Sequence, residues 1–85
     1  MATIYIGGFG QEITDKDLLS LCITFGPING VHIVQKELGS IRHEGHGFVE
    51  FEVKDDAKQA IDNLHLTFYK GYVIRCNLAN VNKSQ

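Results

Sequence analysis

Apolar and polar residues alternate along four stretches of this chain and recur at helical spacing along two others. "TIYIG" (residues 3–7) sets Ile4 and Ile6 against Tyr5, a period of two that predicts a strand bounded by Gly7-Gly8. In "TDKD", Thr14 can cap a helix, with Asp17 three residues on in a variant of the capping box. Leu18, Leu21, Cys22 and Phe25 then share one helical face, and Gly26-Pro27 ends it. Asn29-Gly30 predicts a turn before a second strand at 31–34. Residues 35–45 are polar, hold two internal glycines and read as a loop. "HGFVEFE" (46–52) is the third strand. Asp55 or Asp56 starts a second helix, with Ala57, Ala60, Ile61 and Leu64 on one face and the acids at its positive end. Residues 67–71 form a connection with room for a small hairpin arm, and "YVIRCNLA" (72–79) is the last strand.

Strand, helix, strand, strand, helix, strand is an α+β order. It predicts a ferredoxin-like βαββαβ sandwich: a four-stranded antiparallel sheet with both helices on one face. The domain is expected over 3–80, with a polar tail at 81–85. Alternation then sorts the strand residues. Ile4, Ile6, Val31, Ile33, Gly47, Val49, Phe51, Ile74 and Cys76 should meet the helices. Tyr5, His46 and Phe48 should sit near the middle of the open face, with His32, Val34, Glu50, Arg75 and Asn77 around them. Aromatic side chains left on an uncovered face need something to pack against them.

Composition narrows what that something is. At 85 residues a single domain is expected. The net charge of −2 supplies no broad basic surface, so any attraction to a polyanion has to be local. Asp15, Asp17, Asp55, Asp56 and Asp62 belong to the helices, which makes the helix side the acidic one. Cys22 and Cys76 are too few for a disulfide framework and are expected to be buried as small apolar groups. With His32, His43, His46 and His65 they form no metal signature, and no cofactor is expected. No leader stands near Met1 and no apolar run is long enough to span a bilayer, so a soluble, monomeric domain in a reducing compartment, with no membrane partner, is the expectation. Two enzymatic or metal-handling uses of this fold class are disfavoured. "GGFGQE" lacks the arginine of an acylphosphatase anion loop, and the cysteines are not paired in one loop as in a metal chaperone. The chain is not expected to be an enzyme.

"IYIGGF" (4–9) and "EGHGFVEF" (44–51) resemble the short and long RNP motifs of the RNA recognition motif family, in the right order and on the right strands. The resemblance covers nearly the whole chain. It implies a sheet whose motif aromatics stack two or three bases of single-stranded RNA. The stacking positions would be Tyr5 in the short motif and His46 and Phe48 in the long one. Arg75 and Asn77 would meet phosphate or a base edge, with His32 beside them, and Arg42 would approach from the loop. Lys36, His43 and Lys70 are further phosphate candidates, whereas Glu50 would repel a backbone.

Two positions depart from the family pattern. Glu44 stands where the long motif usually begins with Lys or Arg. His46 replaces a Phe or Tyr and can change charge in the physiological range. A cation there favours phosphate, but protonation also weakens a neutral stack, so the sign of a pH effect stays open. "YIGGF", "ITDKDLL", "FGPI", "FVEFE", "DAKQAIDN" and "IRCNLA" together resemble the N-terminal domain of a nuclear cyclophilin-type prolyl isomerase. That implies nuclear mRNA processing, including splicing, with no isomerase domain in this chain. The alternative is a module that binds a protein partner through the sheet or the acidic helix side. Asp15 and Asp17 fit the second mode loosely, and residues 66–69 lack the Arg-X-Phe motif it uses.

Overall fold

The structure is a computed structural model that describes residues 1–10, 12–35 and 43–79. Along the chain come β1 (Ala2–Gly7), α1 (Asp15–Cys22), a 3-10 turn (Ile23–Phe25), β2 (Ile28–Gln35), β3 (His43–Phe51), α2 (Lys54–Leu64), β4 (Thr67–Tyr69) and β5 (Tyr72–Leu78). The strands lie in the order β2-β3-β1-β5-β4, every neighbour antiparallel.

The expected capping box forms. Thr14 Oγ1 accepts the Asp17 N–H at 3.2 Å, and Asp17 Oδ2 accepts the Thr14 N–H at 2.9 Å. Two of the helix's otherwise orphaned donors are thereby satisfied. The second helix starts earlier than Asp55. Val53 occupies the cap, and its carbonyl accepts the Asp56 and Ala57 N–H groups at 3.1 and 3.2 Å. Valine has no side-chain oxygen to offer, so Asp55 and Asp56 in the first turn act through the helix dipole instead.

The sheet corrects the sequence reading in three places. It has five strands rather than four, because residues 67–69 pair with β5 as an edge strand. Lys70 (φ 48°) and Gly71 (φ 93°) close the two-residue turn between them, both left-handed as a tight hairpin turn requires. Where β4 runs out, His65 Nδ1 accepts the Cys76 N–H at 3.0 Å and completes the pairing of β5. Asn29-Gly30 is not a turn. It lies inside β2, where the register slips between Ile28 and Gly30 as a bulge. Finally, β3 begins at His43 instead of His46. The register slips again between Val34 and Gln35, and Gly45 (φ 78°) turns its carbonyl onto the Gly8 and Phe9 N–H groups at 2.9 and 3.3 Å.

The core lies between the sheet and the two helices. Ile4, Ile6, Val49, Phe51, Ile74 and Cys76 from the strands are at most 1% exposed, and they meet Leu18 and Cys22 of α1 and Ala57, Ala60 and Leu64 of α2. Burying one large side chain of this kind stabilises by about 1.5–3 kcal/mol. Val31 and Ile33 of the outer strand β2 pack on this core but stay partly exposed. Both cysteines are buried and reduced. Burial pushes the Cys22 thiol up to about 12 and that of Cys76 to about 11, so they behave as the small apolar groups expected.

Candidate nucleic-acid interface

Strand register turns the open face into a grid. One row crosses the sheet as His32, Phe48, Tyr5 and Asn77, from β2 through β3 and β1 to β5. The next row is Val34, His46, Gly7 and Arg75. On the other side of the aromatic row lie Gly30, Glu50 and Thr3. Adjacent strands stand about 4.8 Å apart, so residues in one row are side-chain neighbours. Six of the seven expected site residues are thus gathered on one surface: His32, Phe48, Tyr5, Asn77, His46 and Arg75. The seventh, Arg42, lies outside the described residues, as does Lys36; so do the side chains of His43 and Glu44.

Tyr5, His46 and Phe48 form one cluster of half-buried rings. Tyr5 lies 5.5 Å from His46 and 5.8 Å from Phe48, and His46 lies 6.5 Å from Phe48, centroid to centroid. Their planes are inclined by 40°, 60° and 87°. Tilted pairs of this kind are the favoured arrangement, and no ring has its face closed against another. Flat surfaces therefore remain for a planar ligand. The spacing is set by the sheet, since Tyr5 faces Phe48 directly and His46 is two residues along β3. Gly7 makes room for the cluster: a Cβ there would stand 2.8 Å from Tyr5 Cζ, because the tyrosine ring leans along β1 over the glycine.

Charge is distributed across the aromatic row. Arg75 is exposed, and among the described residues no carboxylate pairs with it. Glu50 stands on the opposite side, two residues from Phe48. Asn77, beside Tyr5, and His32, beside Phe48, are exposed and able to hydrogen-bond. Lys70 does not join the site. It turns to the helix side, where its Nζ lies 3.3 Å from Asp17 Oδ1 and 5.8 Å from the Tyr69 ring. Asp17 is thus engaged twice, by the cap and by Lys70. The Thr14 backbone N–H, helped by Lys70, holds its carboxyl below the usual range. Among the described residues no group of three or more His, Cys, Asp and Glu could hold a metal ion.

Sequence reasoning passed over Thr3, Gly7 and Gly30. Thr3 was available from the same alternation as Tyr5. The glycines were not, because their surroundings depend on other residues: the Tyr5 ring stands over Gly7, and the space at Gly30 is left open beside Glu50 of the neighbouring strand.

Similarity to known proteins agrees with this fold. The family model described as the RNA recognition motif matches residues 4–75. The chain is 38% identical over 76 residues to heterogeneous nuclear ribonucleoprotein Q of Arabidopsis thaliana, covering 89% of this chain and 15% of that protein. It is 34% identical over 82 residues to splicing factor 3B subunit 4 of Caenorhabditis elegans, covering 96% of this chain and 21% of that protein. It spans less than a quarter of the length of either relative. In three dimensions it is similar to the RNA binding protein PG1, with a TM-score of 0.89, 25% identity and full coverage of both chains. The finer likeness to the cyclophilin-type isomerase is not shown by these relatives, which are ribonucleoprotein and splicing subunits. The chain belongs to the RNA recognition motif family.

Proposed function

Starting from membership of that family, we propose that this domain binds single-stranded RNA on the open face of its sheet, stacking two or three bases on Tyr5, Phe48 and His46. The supporting observation is the ring cluster itself: three half-buried aromatic groups, 5.5–6.5 Å apart, on the side of the sheet away from both helices. Base stacking on an aromatic side chain contributes about 1–3 kcal/mol per base. Arg75 is positioned for a phosphate, and Asn77 and His32 for base edges. With one arginine among the described sheet residues, affinity is modest and falls only shallowly with salt. The splicing and ribonucleoprotein relatives support a nuclear role in pre-mRNA processing. The competing use of the helix side is weakened by Asp17, whose carboxylate is already held by Thr14 and Lys70.

The test is a titration of the isotope-labelled domain with short single-stranded RNAs, followed by amide chemical shifts. The expected shifts centre on Tyr5, His46, Phe48, Arg75 and Asn77 and vanish in a Tyr5→Ala, Phe48→Ala double variant that keeps its fold. Shifts confined to the helices, or none at high RNA concentration, would overturn the proposal and direct attention to peptide partners.

A further inference from the structure

Beside Phe48 the open face carries a depression of about 220 Å³, lined by Thr3, Gly30, Val31, His32, Phe48 and Glu50. Its floor is open because residue 30 has no side chain. A Cβ there would meet nothing nearer than Glu50 Oε1, at 3.9 Å. Its polar wall is the Glu50 side chain, half-buried, with no hydrogen-bond or ion-pair partner among the described residues. Thr3 stands opposite it on β1.

We infer that Glu50 is a specificity-determining residue that reads the edge of the base seated on Phe48, and that this position takes guanine. The inference rests on the RNA-binding reading above and deepens it. The geometry also orients the nucleotide. Arg75 and Glu50 flank the aromatic row on opposite sides. A phosphate is drawn towards the arginine and repelled by the carboxylate, so the backbone keeps to the Arg75 side and the base edge reaches the Glu50 side.

The chemistry of that edge then decides among the bases. A carboxylate only accepts hydrogen bonds, and it can accept two in parallel. The Watson–Crick edge of guanine offers two adjacent donors, N1–H and the N2 amino group. Cytosine and adenine each offer one amino group beside a ring-nitrogen acceptor. Uracil offers a single N–H between two carbonyl oxygens, which face the carboxylate unfavourably. Guanine is thus preferred, cytosine and adenine are intermediate, and uracil is rejected. Glu50, which at first sight opposes binding to a polyanion, becomes the residue that selects the base.

Fluorescence anisotropy with a labelled uridine-only oligomer, and with the same oligomer carrying one central guanosine, cytidine or adenosine, tests this. A bidentate contact predicts about a tenfold advantage for the guanosine oligomer over uridine alone. Glu50→Gln should remove most of that advantage while leaving the uridine oligomer bound as well or better. Phe48→Ala, measured in parallel, separates the two levels of the proposal. If Phe48→Ala weakens every oligomer but Glu50→Gln leaves the ranking unchanged, or the intact domain shows no ranking, the inference falls and the stacking reading stands. If Phe48→Ala changes nothing, both fall.

Discussion

On the covered side of the sheet, Ile4, Ile6, Val49, Phe51, Ile74 and Cys76 are each at most 1% exposed. One residue along the same strands, Tyr5, His46, Phe48 and Glu50 are half-buried, and Arg75 and Asn77 are exposed. The backbone that positions both sets is shared, and only the parity of the strand separates them. The covered face is held by close packing, where one missing methylene is felt. The open face has no packed layer to satisfy, and on the proposed reading its residue types answer to a ligand: rings tilted with free faces, a cation on one side and an acid on the other. Stability and binding should therefore come apart under mutation.

Phe51→Ala makes the largest break in that comparison. Phe51 is wholly buried, and truncating a buried phenylalanine costs about 3–5 kcal/mol. Its partner across parity, Phe48→Ala, removes a half-buried ring from the surface. Urea denaturation should show a marked loss for the first and a small one for the second, while the folded fraction of each shows the opposite ranking in RNA affinity. Equal losses of stability would mean that the open face is structural after all.

Alkali tests the same contrast chemically. Burial raises the thiols of Cys22 and Cys76 from an ordinary 9.0 to about 12 and about 11. A pKa raised in the folded state contributes stability that is complete below the unfolded value and lost as pH climbs through the folded one. Between pH 9 and about 11 the unfolded chain ionises its thiols and the folded one does not, so stability falls by up to about 1.4 kcal/mol per pH unit per thiol. Thermal melts across this window should slope downward, and a Cys22→Ala, Cys76→Ala variant should flatten much of the slope. Rapid alkylation of either thiol in the native domain at neutral pH would contradict the burial.

The parity of β1 and β3 was legible in the sequence because Ile4 and Ile6, and Gly47, Val49 and Phe51, recur at a period of two with Tyr5, His46, Phe48 and Glu50 between them, and Thr14 with Asp17 announces a cap by spacing alone. What was not legible depended on a second segment. β4 is three residues long, too short for a period, and is a strand only because Lys70 and Gly71 fold it back onto β5. Asn29-Gly30 carries turn chemistry, yet pairing with β3 draws it into a bulge. Val53 offers no capping side chain, so α2 begins where backbone hydrogen bonds permit. In the candidate site, the outward placing of the aromatic residues followed from alternation, whereas the open space at Gly30 is bordered by Glu50, which lies on the neighbouring strand.

Gly7 gives the smallest and sharpest version of the comparison. It is buried, as a core residue would be, but it belongs to the open face by parity, and what buries it is the Tyr5 ring. Its φ is not in the left-handed region, so alanine suits the backbone, and a Gly→Ala change at a compatible site stabilises by about 0.4–1 kcal/mol through the unfolded chain. The added methyl would press on the far end of the half-buried tyrosine ring, which moves aside to relieve the contact. In Gly7→Ala, stability should stay within about 1 kcal/mol of the parent. The ring, however, leaves its place against His46 and Phe48, and RNA affinity should fall several-fold. Denaturation and anisotropy on the same sample decide it. A loss of stability with unchanged affinity would make Gly7 a core position and Tyr5 a mere lid over it. Lost affinity at constant stability would mean that the tilt of Tyr5, beyond its presence, is what the open face provides to a base.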